Sequence, residues 1–463
     1  MCTVVQAVRQ FTARPTLERA SRVVGELLLV AGTLRWIIRE ALGVAVRRSW
    51  LQRSIIAGAV AVMACTAQSG VAAAPPSSSH VVVSLPAPTG PYPVGISDWQ
   101  LDDLHRVDPW TGKNRELLVQ IWYPAAGRPT SQTAVWMPPG GRAEQTDYLT
   151  QLGVPSGSWT LAPSYSHRDT PAPTDGRKFP VLLNSPGMDD TTGWSTAQAE
   201  DLASHGYVVV AINHTHEAFA VQFPDGHTEH SRVPLDSPQH VLSDLLLPTR
   251  VADARFVLDR LAAATEHPDS TGLPQHLAED LDLSKVGMFG HSLGGSTTAQ
   301  TMHDDHRIRA GVDLDGPILG SVAADGLDRP LLMLASDTSP WFGNPGWESR
   351  WAANTGIKIP LRIAGTRHMS LCDQQVILTQ LSAAGLLDPA KKTEAVGTID
   401  AARSTDLQRA YLLAYFDATF GRTGPDIPRV LALLVQPEVL PPPRARSLNA
   451  GTPTISSTGQ QHE

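Results

Sequence analysis

The sequence predicts an α/β fold with a mostly parallel central sheet, helices on both faces and an antiparallel edge at the N-terminal side. Short apolar runs alternate with longer segments of helical spacing, which is the pattern of parallel strands covered on both faces. These runs are 181–183, 207–212, 286–289, 331–334 and 359–363. Ahead of them, 94–101 and 116–123 have the pattern of an antiparallel strand pair, which we expect at the edge of the sheet.

The segment 46–74 has the features of a bacterial export signal. Arg47 and Arg48 precede an uncharged run, 54–65, and alanine-rich sequence follows it. Paired arginines with an aromatic residue and a leucine just after them resemble the twin-arginine type of signal. Cleavage after Ala73 fits the small-residue rule. We therefore expect secretion, with a lipoprotein anchored at Cys65 as the alternative, because Val62-Met63-Ala64-Cys65 approximates a lipobox.

The remaining boundaries follow from composition. Residues 1–45 form an atypical leader, in which charged residues interrupt the apolar groups, so no run of about 20 residues could span a bilayer. Residues 75–440 are expected to form one catalytic α/β domain. Residues 441–463 are rich in proline, serine and threonine and are expected to be disordered. Two polar inserts, about 128–176 and 215–245, are expected to be loops near the mouth of the site.

Charge and cysteine content exclude some classes of protein. Residues 1–74 hold nine of the 37 basic and three of the 45 acidic residues, so the remainder has 28 basic against 42 acidic residues, a formal charge of −14. Binding to nucleic acid is therefore not expected. Of the three cysteines, only Cys372 follows Ala73, so the exported chain would have no internal disulfide.

The strongest motif is Gly290-His291-Ser292-Leu293-Gly294, which lies between an apolar run and a segment rich in small residues. In the G-x-S-x-G arrangement, a serine occupies a strained turn between a strand and a helix, and the glycines allow close backbone approach. Ser292 is therefore the candidate nucleophile. In α/β-hydrolases, which carry this turn, the backbone N–H of the next residue helps to bind the oxyanion, and here that residue is Leu293.

A serine hydroxyl needs a base, and the base needs a group that orients it. In α/β-hydrolases, the acid and then the histidine follow the serine along the chain. The run 361–365 reads as a late strand that ends in glycine, and His368 lies in the loop just after it. His368 is therefore the candidate base.

Two aspartates compete for the role of the acid. Asp315 follows a strand pattern and precedes Gly316 and Pro317, which would turn it toward the carboxyl edge of the sheet, where α/β folds place their sites. Asp337 ends the next strand along the chain, from which many hydrolases of this fold take their acid. We favour Asp315 and keep Asp337 as the alternative.

The sequence resembles the plasma-type platelet-activating factor acetylhydrolase family, which consists of calcium-independent serine esterases with the α/β-hydrolase fold. The stretches that carry the resemblance span about 86–421: they are Pro88–Gly95, Asn184–Met188, Asp201–Tyr207 and the turn at Ser292. The resemblance implies that Leu314-Asp315 supplies the acid, His368 the base and Met188 the second backbone donor to the oxyanion. The chain has Pro186 where the family usually has histidine.

The sequence thus predicts a secreted serine ester hydrolase that forms an acyl-enzyme on a small-molecule ester or lipid. The resemblance implies short-chain esters, including 1-alkyl-2-acetylglycerophosphocholine and oxidised phospholipids. A cutinase-like lipase or polyesterase is one alternative, and a non-catalytic surface binding protein is another. No cofactor is expected, and no metal either, because His214 and His216 have no third ligand at a recognised spacing. Contact with a membrane surface and the oligomeric state stay open.

Overall fold

The computed structural model describes residues 80–127, 131–234, 237, 239–268, 272–341, 352–423, 427, 431 and 436–441. The expected leader (1–45) and export signal (46–74) lie outside the described residues, as does the expected tail (441–463) apart from Pro441. Within the described residues, no helix is both long and apolar enough to cross a membrane.

The described part of the chain contains a mixed sheet of eleven strands. Their order across the sheet is β15-β14-β13-β12-β11-β7-β8-β3-β2-β6-β4. The bounds are β2 Val94–Val107, β3 Asn114–Pro124, β4 Thr133–Val135, β6 Pro163–Arg168, β7 Phe179–Ser185, β8 Val208–Asn213, β11 Leu281–His291, β12 Ile308–Leu314, β13 Leu331–Ser336, β14 Lys358–Ile363 and β15 Val439–Leu440. The six strands from β14 to β8 are all parallel, as the uninterrupted apolar runs predict.

The predicted antiparallel pair is present, but it does not form the edge of the sheet. β2 and β3 pair antiparallel, and β6 and β4 lie beyond β2. Both outer strands belong to the insert 128–176, which we expected to be a loop. The sequence of β6 lacks the apolar alternation of a strand, because its inward residues, Ser164 and Ser166, are buried serines. The Glu200 carboxylate accepts hydrogen bonds from the Ser166 N–H and O–H.

Further elements also occupy the two inserts and the segment before β2. β1 (Val81–Val83) pairs with β5 (Trp159–Leu161), and β9 (Ala220–Gln222) forms a hairpin with β10 (Thr228–His230). A helix, α1, spans Pro139–Gln151 in the first insert. The polar inserts are therefore more regular than their composition suggests.

Helices cover both faces of the sheet. The bounds are α2 Thr196–Ser204, α3 Leu247–Glu266, α4 Leu277–Asp280, α5 Leu293–Asp304, α6 Val322–Asp325, α7 Gln374–Ala383, α8 Pro389–Val396 and α9 Ala401–Thr419. Alternate residues of each strand face opposite cores. Val181 and Leu183 pack in the core with α3 and α5, whereas Leu182 packs in the core with α2 and α9. The carboxyl ends of β7, β11, β12, β13 and β14 thus meet at one edge, where the candidate residues lie.

Candidate active site

Ser292 lies at a sharp turn between β11 and α5. Its backbone is left-handed, with φ +56° and ψ −121°. A Cβ atom on Gly294 would come within 1.8 Å of the Ser185 carbonyl oxygen, and one on Gly290 within 2.4 Å of the Gly294 backbone. Both glycines of the motif are therefore required by close backbone approach, which allows the strained serine to stand at the edge of the sheet.

His368 connects Ser292 to Asp315. Its Nε2 lies 2.9 Å from the Ser292 Oγ, and its Nδ1 lies 2.7 Å from the Asp315 Oδ2. The histidine follows β14 through a turn at Gly365 and begins a 3₁₀ helix, His368–Leu371. Its side chain is 42% exposed, whereas that of Asp315 is 1% exposed. The structure thus brings the three predicted residues into one hydrogen-bonded chain.

Asp315 is held by the strand beside it. Its backbone N–H donates to the Leu334 carbonyl, and its carboxylate accepts from the Ser336 N–H as well as from His368. Burial raises the pKa of the Asp315 carboxyl, but the hydrogen bond and charge of His368 outweigh burial and leave this pKa below its usual value. The carboxylate is therefore ionised and can orient the imidazole and stabilise its cationic form.

The alternative acid, Asp337, does not contact His368. Its carboxylate pairs with the Arg362 guanidinium and accepts the Gly365 N–H at 2.9 Å. It therefore anchors the turn that leads to the base, rather than the base itself.

The two expected oxyanion donors lie on neighbouring segments. Met188 belongs to the oxyanion loop, which we define as Pro186–Asp190 after β7, and Leu293 is the first residue of α5. Their side chains share one apolar cluster with Val233 and Leu246. The structure thus places the oxyanion loop beside the start of α5, and the binding of the oxyanion by these two N–H groups stays a prediction.

Arg250 on α3 binds two backbone carbonyls of the oxyanion loop. Its guanidinium donates to the Pro186 carbonyl at 2.6 Å and to the Gly187 carbonyl at 2.9 Å, and it pairs with the buried Glu217 at 2.5 Å. Arg250 is 1% exposed. Sequence reasoning missed this residue because it lies 63 residues from Gly187, in an ordinary helical pattern.

The segment with two histidines lies beneath the same loop. His214 accepts a hydrogen bond from the Ser185 hydroxyl at Nε2 and donates to Asp253 at Nδ1, both at 2.9 Å. Arg115 forms a bidentate ion pair with Asp253. Burial, aided by the charge of Arg250, lowers the pKa of His214 to about 4, so its imidazole is neutral. Among the described residues, no group of three His, Cys, Asp or Glu side chains is placed to hold a metal ion.

This arrangement can activate an alcohol. The imidazole can take the Ser292 proton as the oxygen attacks a carbonyl carbon, and backbone N–H groups can stabilise the negative oxygen that forms.

Comparison with known proteins assigns the family. The family model "Platelet-activating factor acetylhydrolase, isoform II" matches residues 77–234 and 269–421. A probable 1-alkyl-2-acetylglycerophosphocholine esterase from Arthroderma benhamiae is 27% identical over 73% of this chain and 89% of that protein. A platelet-activating factor acetylhydrolase from Cavia porcellus is 27% identical over 55% of this chain, and the match spans 61% of that protein.

A solved structure is also similar. A ferulic acid esterase from Streptomyces cinnamoneus superposes with a TM-score of 0.62 at 30% sequence identity, covering 77% of this chain and 98% of that chain. The predicted α/β-hydrolase fold and the predicted ester hydrolase class are thereby confirmed. The chain belongs to the platelet-activating factor acetylhydrolase isoform II family of carboxylic ester hydrolases.

Proposed function

We propose that the protein hydrolyses short-chain carboxylic esters through an acyl-enzyme on Ser292. The observation that carries the proposal is the continuous hydrogen-bonded chain from Ser292 through His368 to Asp315, with contacts of 2.9 and 2.7 Å. His368 takes the hydroxyl proton during attack and returns it to the leaving alcohol. A water molecule then attacks the acyl carbon as His368 takes its proton, and His368 returns this proton to the Ser292 oxygen as the carboxylic acid leaves.

The oxyanion of each tetrahedral intermediate would be bound by the backbone N–H groups of Met188 and Leu293. Their proximity supports this assignment, since their side chains share one apolar cluster. Removal of one such donor typically costs about 10²–10³-fold in kcat. Because Arg250 fixes the Pro186 and Gly187 carbonyls, the N–H of Met188 is held before substrate binds.

For the substrate, we propose acetyl and other short acyl esters, with 1-alkyl-2-acetylglycerophosphocholine and oxidised phospholipids among them. The names of the relatives support this class. The apolar cluster beside Leu293 also supports an ester with an apolar part, because it includes partly exposed Trp110, Leu242 and Leu245. The similarity to a ferulic acid esterase favours aromatic esters as the second candidate class.

Labelling with a fluorophosphonate probe tests the nucleophile. The wild-type protein should be labelled, and Ser292→Ala should not, while Ser296→Ala, one turn along α5, serves as a control that keeps the label. Equal labelling of wild type and Ser292→Ala would overturn the assignment. No labelling of any variant would instead favour the alternative of a binding protein that retains the fold.

A substrate panel tests the ester class. We expect kcat/KM to be highest for p-nitrophenyl acetate and to fall with acyl length, and a phospholipid with a short second acyl chain to be cleaved faster than one with two long chains. Faster turnover of methyl ferulate would favour the aromatic class. Faster release from a long-chain polyester would favour the cutinase-like alternative.

We also propose that the protein is exported. The paired arginines and the alanine-rich stretch in 46–74 support this. The single cysteine after Ala73 agrees with it, because the exported chain would need no internal disulfide. N-terminal sequencing of the mature chain from a bacterial host tests the proposal: cleavage after Ala73 is the expected result. A lipid-modified Cys65 as first residue would establish an anchored protein instead.

A further inference from the structure

His291 lies directly against the candidate base and is not used in the proposed reaction. The centroids of the His291 and His368 rings are 4.6 Å apart, and His291 is 3% exposed. Its Nδ1 lies 3.1 Å from the Asp190 Oδ2, and its Nε2 lies 3.0 Å from the backbone carbonyl oxygen of His368. Both ring nitrogens therefore face oxygen atoms.

Neither of these oxygen atoms can donate when Asp190 is ionised. A carbonyl oxygen and a carboxylate oxygen only accept, whereas a neutral imidazole has a single N–H. Both contacts can be hydrogen bonds only if His291 carries two ring protons. Burial lowers the pKa of His291, but the hydrogen bond and charge of Asp190 outweigh burial and raise this pKa above its usual value.

The same carboxylate oxygen extends the connection to the oxyanion loop. The Asp190 Oδ2 also accepts the Gly187 backbone N–H at 3.0 Å. Gly187 is packed so closely that an added Cβ atom would lie 2.4 Å from this oxygen. A single ion pair thus joins three segments: the oxyanion loop through Gly187, the turn at Ser292 through His291, and the base through the carbonyl of His368.

We propose that His291, as an imidazolium paired with Asp190, is a positioning residue that holds the base and the oxyanion loop in place relative to the nucleophile. This inference rests on the proposed function, since it concerns what holds His368 and Met188 in place. It also makes His291 a buried positive charge beside the base.

Titratable groups from three neighbouring segments face the ion pair of His291 and Asp190. Asp190 faces His291 from the oxyanion loop, His368 from the 3₁₀ helix and Asp315 from the turn after β12. Asp190 itself is faced by Asp189 of the same loop, by Cys372 and by Tyr148 of α1. Burial raises the pKa of the Cys372 thiol well above its usual value, so this thiol is uncharged near neutral pH. The charges that act on His291 are therefore the carboxylates of Asp190 and Asp315.

Nitrogen-15 NMR of the histidine rings tests the protonation state directly. In wild-type protein at pH 7.5, we expect the spectrum to contain a histidine with two protonated ring nitrogens. The signals of this histidine should be missing from the spectrum of His291→Gln. In Asp190→Asn, the same histidine should become a neutral tautomer, because the charge that favours its second proton is gone. A neutral His291 in the wild type would overturn the proposal.

Kinetics test the positioning role. We expect His291→Gln to lower kcat on p-nitrophenyl acetate about 10–100-fold with little change in KM, because the base and the oxyanion loop would no longer be held by one ion pair. Asp190→Asn should lower kcat less, because neutral His291 can still donate to the His368 carbonyl. Unchanged kcat in both variants would contradict the role.

The two variants keep the inference separate from the proposed function. If His291→Gln does not fold, the wild-type spectrum and Asp190→Asn still decide the matter. If Ser292→Ala retains fluorophosphonate labelling, the proposed nucleophile is wrong, whereas the NMR result still reports on the ion pair.

Discussion

Asp315 accepts a hydrogen bond from the imidazole of His368: its Oδ2 lies 2.7 Å from the Nδ1, on the side of the ring opposite Ser292. The aspartate reaches this position because β12 ends at Leu314 and the next residue adopts a left-handed backbone with φ +59°. The turn therefore places a buried carboxylate under a half-exposed imidazole. This relationship distinguishes the two aspartates that the sequence left in competition.

Exchange of each aspartate for asparagine should separate their roles. Asp315→Asn should lower kcat on p-nitrophenyl acetate by about 10⁴-fold, because the amide would favour the wrong imidazole tautomer. Asp337→Asn should leave kcat within a few fold and lower the melting temperature, since it weakens the contacts with Arg362 and Gly365. A loss of 10³-fold or more in Asp337→Asn, with a small effect in Asp315→Asn, would reverse the assignment.

The sequence was sufficient for the parts of the site that depend on local pattern. Ser292 is marked by glycines that the turn requires, and His368 by a strand that ends just before it. The same holds for the parallel strands, whose apolar runs are continuous. Asp315 needed the structure, because two strand ends carry an aspartate and only the fold shows which one faces the imidazole.

Other features left no local signal. Arg250 and Asp190 act on backbone groups of the oxyanion loop, and the contact between Arg250 and Gly187 joins residues 63 apart in sequence. β6 was missed because its inward residues are serines that bond to Glu200 instead of packing in an apolar core. Each of these features satisfies a buried polar group through a distant partner, which periodicity cannot reveal.

Arg250→Lys should affect the oxyanion loop. A lysine can keep the charge near Glu217, but it cannot donate in the fixed fork that holds the carbonyls of Pro186 and Gly187. We expect kcat to fall about 10–100-fold with little change in KM, because the N–H of Met188 would no longer be held in place. Steady-state kinetics at several ester lengths give both parameters.

Arg255→Lys is the matched control for this change. Arg255 lies on the same helix, but its side chain is 52% exposed and its contact with Asp305 is 3.7 Å long. This variant should match the wild type in kcat and in stability. A similar loss of activity in both variants would show that Arg250 acts through the general stability of α3.

Gly294→Ala should disturb the turn at Ser292. The added Cβ atom would lie 1.8 Å from the Ser185 carbonyl oxygen, so the backbone of β7 or α5 has to move. We expect the free energy of unfolding to fall by about 1–3 kcal/mol, and kcat to fall with it. Gly141→Ala in α1 is the control: its Cβ atom would meet nothing closer than 4.0 Å, and a gain of up to about 1 kcal/mol is expected. Denaturant unfolding measures both; equal effects would contradict the steric argument.

Asp313→Asn should make the protein more stable at neutral and higher pH. Asp313 is fully buried, and burial raises the pKa of its carboxyl well above the usual value, while one of its oxygens accepts the Gly316 N–H. The native state therefore holds a proton that the unfolded state releases near pH 4, so the free energy of unfolding falls as pH rises above that value. Asparagine does not titrate, and it keeps an oxygen for Gly316. The stability gain of Asp313→Asn should thus be small near pH 4 and grow toward pH 8.

Asp315→Asn provides a comparison with the opposite sign. The pKa of Asp315 lies below its usual value, so its carboxylate stabilises the native state above about pH 4, and this contribution is lost as pH falls through the native pKa. Its asparagine variant should lose stability at pH 7, and less at low pH. Urea unfolding from about pH 3 to pH 8 separates the two cases: the loss for Asp315→Asn should be constant above about pH 4 and shrink below it, whereas the gain for Asp313→Asn should grow as pH rises above 4. A gain for Asp313→Asn that is the same at every pH would mean that its carboxyl is not protonated in the native state.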